Sequence, residues 1–241
     1  ETKAYDPVAR FSVPVDVDLV KRNGTVNATD SVLPEMRFEI PRNKLDGGLV
    51  RSDFIIMNII ASNAWKRPIY FTSPMGELGF AQYLRKDGMA YRLVPAVLSS
   101  PQQNWIVEQA FRQNGLGGTQ IRANNLDSMY KTMMNDFEFG GAGKKGVYYD
   151  EENRRHILAI RSLYGEAAGN MADAGRKDEA QKLIDKVEAG INPANLPYGL
   201  VSRYNSHNQT SMVYLEACYK AEKKEIAEKV RANATIDWTI R

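Results

Sequence analysis

The sequence predicts an α+β fold: a small mixed sheet with packed helices, followed by a tetratricopeptide-like helical region. Three observations carry this. Up to Pro95, short period-two or aromatic runs alternate with helix-like runs, as in a small sheet with helices laid on it. From Asp150 onward nearly every segment has helical periodicity. Within that stretch, "YGEAAGNMADAGRKDEAQKLIDKVEAGINP" has the spacing of a two-helix repeat unit. The division falls near Gly146, giving an α/β region over 1–146 and a helical region over 147–241.

The first elements are extended. "FSVPVDVDLV" sets Val13, Val15 and Val17 against Pro14, Asp16 and Asp18, an edge-strand pattern, and "MRFEIP" puts Met36, Phe38 and Ile40 on one face. "RNGTVNATD" between them is turn and loop material. "RSDFIIMNIIASNAW" changes period. Ser52 or Asp53 can cap a helix there, and Phe54, Ile55, Ile56, Met57, Ile59 and Ile60 cover so much of its circumference that it is expected to be buried. "RPIYFTSP" follows as a strand, "GELGFAQYLRKDG" as a short helix stopped by Gly88, and "MAYRLVP" as another strand. "SSPQQNWIVEQAFRQNG" carries helix start and stop signals at Ser100, Pro101 and Gly115, and "NNLDSMYKTMMNDF" aligns Leu126, Met129, Tyr130, Met133 and Phe137 on one stripe.

In the helical region Asp150 is the expected cap. Tyr164, Ala167, Ala168 and Met171 mark a first helix, Gly175 its turn, and Ala180, Ile184 and Val187 a second that Pro193 ends. A weaker copy, "SMVYLEACYKAEKKEIAEKVRANA", has Glu222 in place of the turn glycine, and "LPYGLVSRYNSHNQT" separates the two.

Composition narrows the function. A net charge of +3 comes from scattered cation pairs with acids nearby, which argues against a nucleic-acid stripe. The single cysteine, Cys218, permits no internal disulfide, and the longest apolar run, Phe54 to Ala61, is too short to span a bilayer. The abrupt start at Glu1 raises the expectation of a longer parent chain. The carboxylates of "DVD" can share a divalent ion, but the alternation predicts a solvated strand face. "FGGAGKKG" fails the phosphate-loop pattern at Glu138 and Lys145, and His156 and His207 have no partner at a ligand spacing. No metal, cofactor or catalytic residue is expected.

The remaining candidate is "NAWKRPIYF". Trp65 can stack on a sugar ring while Lys66 and Arg67 hold a phosphate, with Tyr70, Tyr91 and Arg92 alongside. The same residues also read as the stop of a helix and the start of a strand: Asn63 and the cations suit a helix C-terminus, and Pro68 ends it.

The ordered blocks "IIASNAWKRPIYF", "YLRKDGMAYRLVP" and "MYKTMMNDFEFG…GVYYDEENRR", with the repeat-like tail, resemble the soluble C-terminal region of a bacterial multi-pass membrane family common in Bacteroidetes and filed as a domain of unknown function. The membrane part of that family resembles protein O-mannosyltransferases. The resemblance covers roughly residues 50 to 230 and implies an appendage at the periplasmic face of the inner membrane. Its catalytic acid is expected in the membrane part, and no residue here matches it. The implied partners are the membrane part of the parent chain and a protein or acceptor protein. "DSV" at Asp30 to Val32 and "DSM" at Asp127 to Met129 fit the Asp–Ser/Thr–apolar acceptor pattern of O-glycosylation in these bacteria.

The leading expectation is a non-catalytic binding or scaffolding region of a glycosyltransferase-like membrane protein. The alternatives are an independent enzyme or sugar-phosphate binder near Trp65, and a soluble tetratricopeptide adaptor. An enzyme requires a concave pocket with a convergent acid or base. A scaffold is expected to show an aromatic groove on its repeat face, lined by Tyr198, Tyr204 and Tyr214.

Overall fold

A computed structural model describes residues 9–73, 78–96, 123–200 and 206–236. The fold is α+β, and the chain forms two compact units, Glu1–Asn125 and Leu126–Arg241.

In the first unit, β1 (Arg10–Pro14) pairs antiparallel with β2 (Glu35–Glu39), and α1 (Val17–Arg22) lies between them in sequence. The expected strand alternation stops at Pro14. Asp16 instead caps α1, its Oδ1 accepting the Leu19 N–H at 2.9 Å, and Asp18 sits in the first turn. A carboxylate accepting orphan N–H groups there completes the helix, so "DVD" is a helix start rather than a strand face. The short α2 (Arg42–Asp46) leads to α3 (Arg51–Asn63). Asp53 Oδ2 accepts the Val50 N–H at 2.8 Å and meets Lys44 Nζ at 3.1 Å. These contacts, the backbone bond foremost, hold the Asp53 carboxyl below its ordinary value.

The second sheet is mixed, with order β3 (Tyr70–Phe71), β5 (Ala90–Leu93), β4 (Leu84–Asp87), β6 (Ala123–Asn124). β3–β5 and β4–β5 are antiparallel, and β4–β6 is parallel. The helix expected to end at Gly88 is here a single 3-10 turn, Ala81–Tyr83, followed by β4. Gly88, at φ 68°, takes the first central position of a two-residue hairpin turn. "DGM" is therefore a hairpin signal where a helix stop was expected. Met36, Phe38, Ile40, Ile60, Trp65, Leu78, Phe80, Leu84, Tyr91 and Leu93 belong to one buried core. The strand pattern of Met36, Phe38 and Ile40 is as the alternation implied.

The expected burial of α3 is corrected. Asp53 and Ile60 are buried and Ile56 and Met57 pack on the core, but Phe54, Ile55 and Ile59 point outward. The unit has one apolar core face for this helix to cover, and an inward stripe centred on Ile60 covers it.

The second unit begins with α4 (Leu126–Asn135), with Met129 and Met133 in its core. Phe139 and Ala142, from the glycine-rich loop, join the same core, so residues that the sequence placed before position 146 pack with the helical unit. Lys186 Nζ donates to the carbonyls of Met133, Met134 and Phe137 at 2.6, 2.8 and 2.8 Å, closing the C-terminal end of α4 with a cation. Next come α5 (Glu151–Asp173), α6 (Lys177–Gly190), α7 (Ser206–Lys220) and α8 (Lys224–Ile236). Asp150 caps α5 as expected. α5 packs on α6 and on α7, and α7 on α8, so two helical hairpins stack through their first helices. Gly165 permits the close crossing, since a Cβ there would lie 3.1 Å from the Tyr214 Cα.

The two hairpins share a turn geometry. After α5, the Gly175 N–H donates to Ala172 O and the Arg176 N–H to Met171 O. After α7, the Glu222 N–H donates to Tyr219 O and the Lys223 N–H to Cys218 O. Both turn residues are left-handed, Gly175 at φ 79° and Glu222 at φ 62°. Glu222 takes a glycine's conformation, and its carboxylate meets Lys177 Nζ at 2.5 Å across the turns. Open space surrounds the Gly175 Cβ position, so Gly175→Ala isolates the backbone cost and lowers stability by about 1 kcal/mol in urea titration. Glu222→Gly is expected to raise the melting temperature, with the gain largest at high salt, where the Lys177 pair is screened in the parent.

Candidate functional site

Of the residues singled out in "NAWKRPIYF", the indole goes inward. α3 ends at Asn63, whose backbone O accepts the Lys66 N–H at 3.0 Å and whose Oδ1 accepts the Arg67 N–H at 3.3 Å. Ala64 and Trp65 are then both left-handed, at φ 45° and 60°. Two such residues without glycine cost about 1–3 kcal/mol each. The turn directs the indole into the core, where Trp65 is 4% exposed and its Nε1–H donates to Pro14 O at 2.8 Å. Burying an indole of 150–250 Å² stabilises by about 4–6 kcal/mol, which offsets the strain. The Trp65 carbonyl accepts from Asn23 Nδ2 at 2.6 Å, fixing the other side of the residue.

Asn23 opens the loop 23–30, which covers the polar face of the mixed sheet. In the cross-strand register Tyr70, Arg92 and Arg85 lie in one row, and Asp87 shares their face. Arg92 donates to Gly24 O, its Nη2 lies 2.5 Å from Asp87 Oδ2, and its guanidinium sits 5.1 Å from the centroid of the exposed Tyr70 ring. Arg85 Nη1 donates to Asp30 Oδ2 at 2.7 Å, and its Nε lies 3.9 Å from Asp87 Oδ1. Asn27 Oδ1 accepts from Arg85 and from Asn125. Two arginines and two aspartates thus neutralise one another beneath the loop. Tyr91 points to the opposite face, into the core.

The sequence flagged Tyr70 and Arg92 but missed Asp30, Arg85 and Asp87. Their signal was "LRKD" read with strand period, which puts Arg85 and Asp87 on one face and Leu84 on the other. Lys66 and Arg67 are exposed at the α3 terminus. The structure therefore joins Tyr70 to Arg92, and separates both from the indole of Trp65 and from Tyr91.

Burial pushes the Asp87 carboxyl above its ordinary 3.8, against the pull of Arg92 and then Arg85. Folding accordingly favours its protonated form. The stability it contributes is complete below the unfolded value and is lost as pH rises through the raised one.

In the second unit Tyr198 and Tyr214 are buried, with rings stacked at 6.4 Å and 9°, so they do not line an open groove as expected. Tyr204 lies outside the described residues. Both hydroxyls donate to Glu188, at 2.7 and 3.0 Å. The buried Arg161 stacks 4.8 Å from the Tyr198 centroid and donates to Leu196 O and Pro197 O. Together these contacts anchor residues 196–198, which follow the first hairpin. Burial, and then Glu188, hold both phenols protonated, and burial pushes the Cys218 thiol up to about 12. Cys218 is an unreactive core thiol.

Among the described residues, no group of three or more His, Cys, Asp or Glu residues is placed to hold a metal, and no helix is long and apolar enough to cross a membrane.

Residues 1–111 match the family model described as "TMEM260-associated domain 2". No curated protein and no solved structure matches the chain. The N-terminal unit is thus similar to a domain associated with a membrane-protein family.

Trp65→Ala is expected to cost about 3–5 kcal/mol of stability by denaturant unfolding, whereas Trp65→Phe, which keeps an aromatic ring but is smaller and loses the bond to Pro14, costs about 1–3 kcal/mol. Asp87→Asn is expected to flatten the part of the stability–pH profile that lies above pH 3.8.

Proposed function

We propose that this chain is a non-catalytic, extracytoplasmic accessory region of a membrane glycosyltransferase-like protein, where it binds or braces a protein partner. The single observation that carries the reading is the match of residues 1–111 to a domain described as associated with a transmembrane protein. The transferase link and the periplasmic placement rest on the resemblance of the "IIASNAWKRPIYF" and "YLRKDGMAYRLVP" blocks. The tetratricopeptide-like reading of the second unit draws support from its stacked hairpins and matched turns.

The geometry favours an accessory role over a site at Trp65. The indole and Tyr91 are core residues, and the acids nearest Arg92 are committed to arginines. A general acid or base needs a free carboxyl within reach of a substrate. In the second unit the buried Tyr198 and Tyr214 brace the helical stack, which supports a structural reading of these aromatic residues.

The test is to read the coding sequence upstream of Glu1 and to co-express what it encodes with the present chain as separate polypeptides. The expected result is a cluster of membrane-spanning helices that co-purifies with the chain in detergent, while the chain alone transfers no sugar. The reading is overturned by an upstream sequence lacking such a cluster, by failure to co-purify, or by transfer activity in the chain alone.

A further inference from the structure

The outward side of α3 is chemically one-sided. Phe54, Ile55 and Ile59 are 56%, 52% and 49% exposed, although the opposite side of the same helix supplies Ile60 to the core. Arg51, Ile55 and Ile59 are spaced by four, so they form one stripe, with Phe54 beside it. Arg51 is exposed on that stripe, and Lys66 and Arg67 are exposed just beyond the helix. The one acid of α3, Asp53, is buried on the inner side with Lys44. The outer side thus combines bulky apolar groups with cations and carries no acid.

That combination selects its occupant. A second copy of the chain, paired through this face about a two-fold axis, would bring Arg51, Lys66 and Arg67 towards the same cations of its mate. An anionic lipid surface complements both features: apolar side chains enter the boundary between headgroups and acyl chains, and cations meet lipid phosphates. A 13-residue helix, about 20 Å long, is suited to lying flat there.

We propose that the outer face of α3 docks on an anionic bilayer surface through Phe54, Ile55 and Ile59, with Arg51, Lys66 and Arg67 contacting headgroup phosphates. The proposal deepens the accessory reading and rests on it for a membrane within reach.

The test is co-sedimentation of the full chain with phosphatidylcholine vesicles containing phosphatidylglycerol, and with vesicles of phosphatidylcholine alone, at low and high salt. Binding is expected to the anionic vesicles and to weaken with salt. Phe54→Ser with Ile59→Ser is expected to weaken partition at least about tenfold. Arg51→Gln is expected to weaken it about fivefold. Tyr148→Ser, at a side chain 83% exposed in the other unit, leaves it unchanged. Every variant is expected to remain cooperatively folded at the assay temperature, because Phe54 and Ile59 are about half exposed, Tyr148 more so, and Arg51 is exposed. Absence of co-sedimentation, equal binding to both vesicle types, or full binding by the double variant overturns the proposal. If the parent ignores vesicles and the double variant loses co-purification with the membrane part, the face belongs to a protein. That overturns lipid docking and leaves the accessory reading intact, whereas loss of co-purification by the parent itself strikes the accessory reading.

Discussion

The first unit depends on where the Trp65 indole goes. Its N–H reaches Pro14 at the end of β1, its carbonyl holds Asn23 at the end of α1, and its ring joins the core beneath the sheet. One residue thereby ties segments far apart in sequence. The successive left-handed residues that deliver it are tolerated because burial of the indole is of the size needed to offset their strain. With Asn23 fixed, the loop that follows reaches across the polar face of the sheet and supplies Gly24 O, Asn27 and Asp30 to the arginines. The Trp65–Asn23 bond fixes the start of that loop, and the loop supplies partners to Arg85 and Arg92.

Parts of this were legible in the sequence. Period-two spacing found β2 and its buried face, a single aspartate fixed the start of α5, and the glycine at 175 marked the hairpin turn. Other parts depended on tertiary context. Val17 continues the alternation of Val13 and Val15, yet capping by Asp16 turns the chain into a helix there. "LRKDG" ends in a residue that stops helices and also turns hairpins, and pairing with Ala90–Leu93 decides between them. The apolar run of α3 gave its helical period but not its surroundings, since no local rule says how many of its sides a small core can cover. The ring of Trp65 was open for the same reason. Residue types supported both stacking on a ligand and helix-stop chemistry, and only the position of Pro14 distinguishes them.

In the second unit the aromatic residues expected to line a groove became internal supports. Tyr198 and Tyr214 share Glu188, and Arg161 lies against the first of them, so residues 196–198 are bound to the interior of the helical unit by hydrogen bonds and stacking. Glu222 makes a related point. A missing turn glycine did not end the hairpin geometry, because the left-handed conformation is held by backbone bonds and by an ion pair to Lys177.

Hydrogen exchange at the Trp65 indole tests the central claim most directly. The chain has three tryptophans, and comparison with a Trp65→Phe variant assigns the Nε1–H resonance in a nitrogen-correlated spectrum. If the indole is the internal anchor, that proton exchanges as slowly as the most protected amides of β4 and β5, and sugar phosphates leave its shift unchanged. Rapid exchange, or a shift that follows added sugar phosphate, would contradict the account and return Trp65 to a ligand-facing cleft.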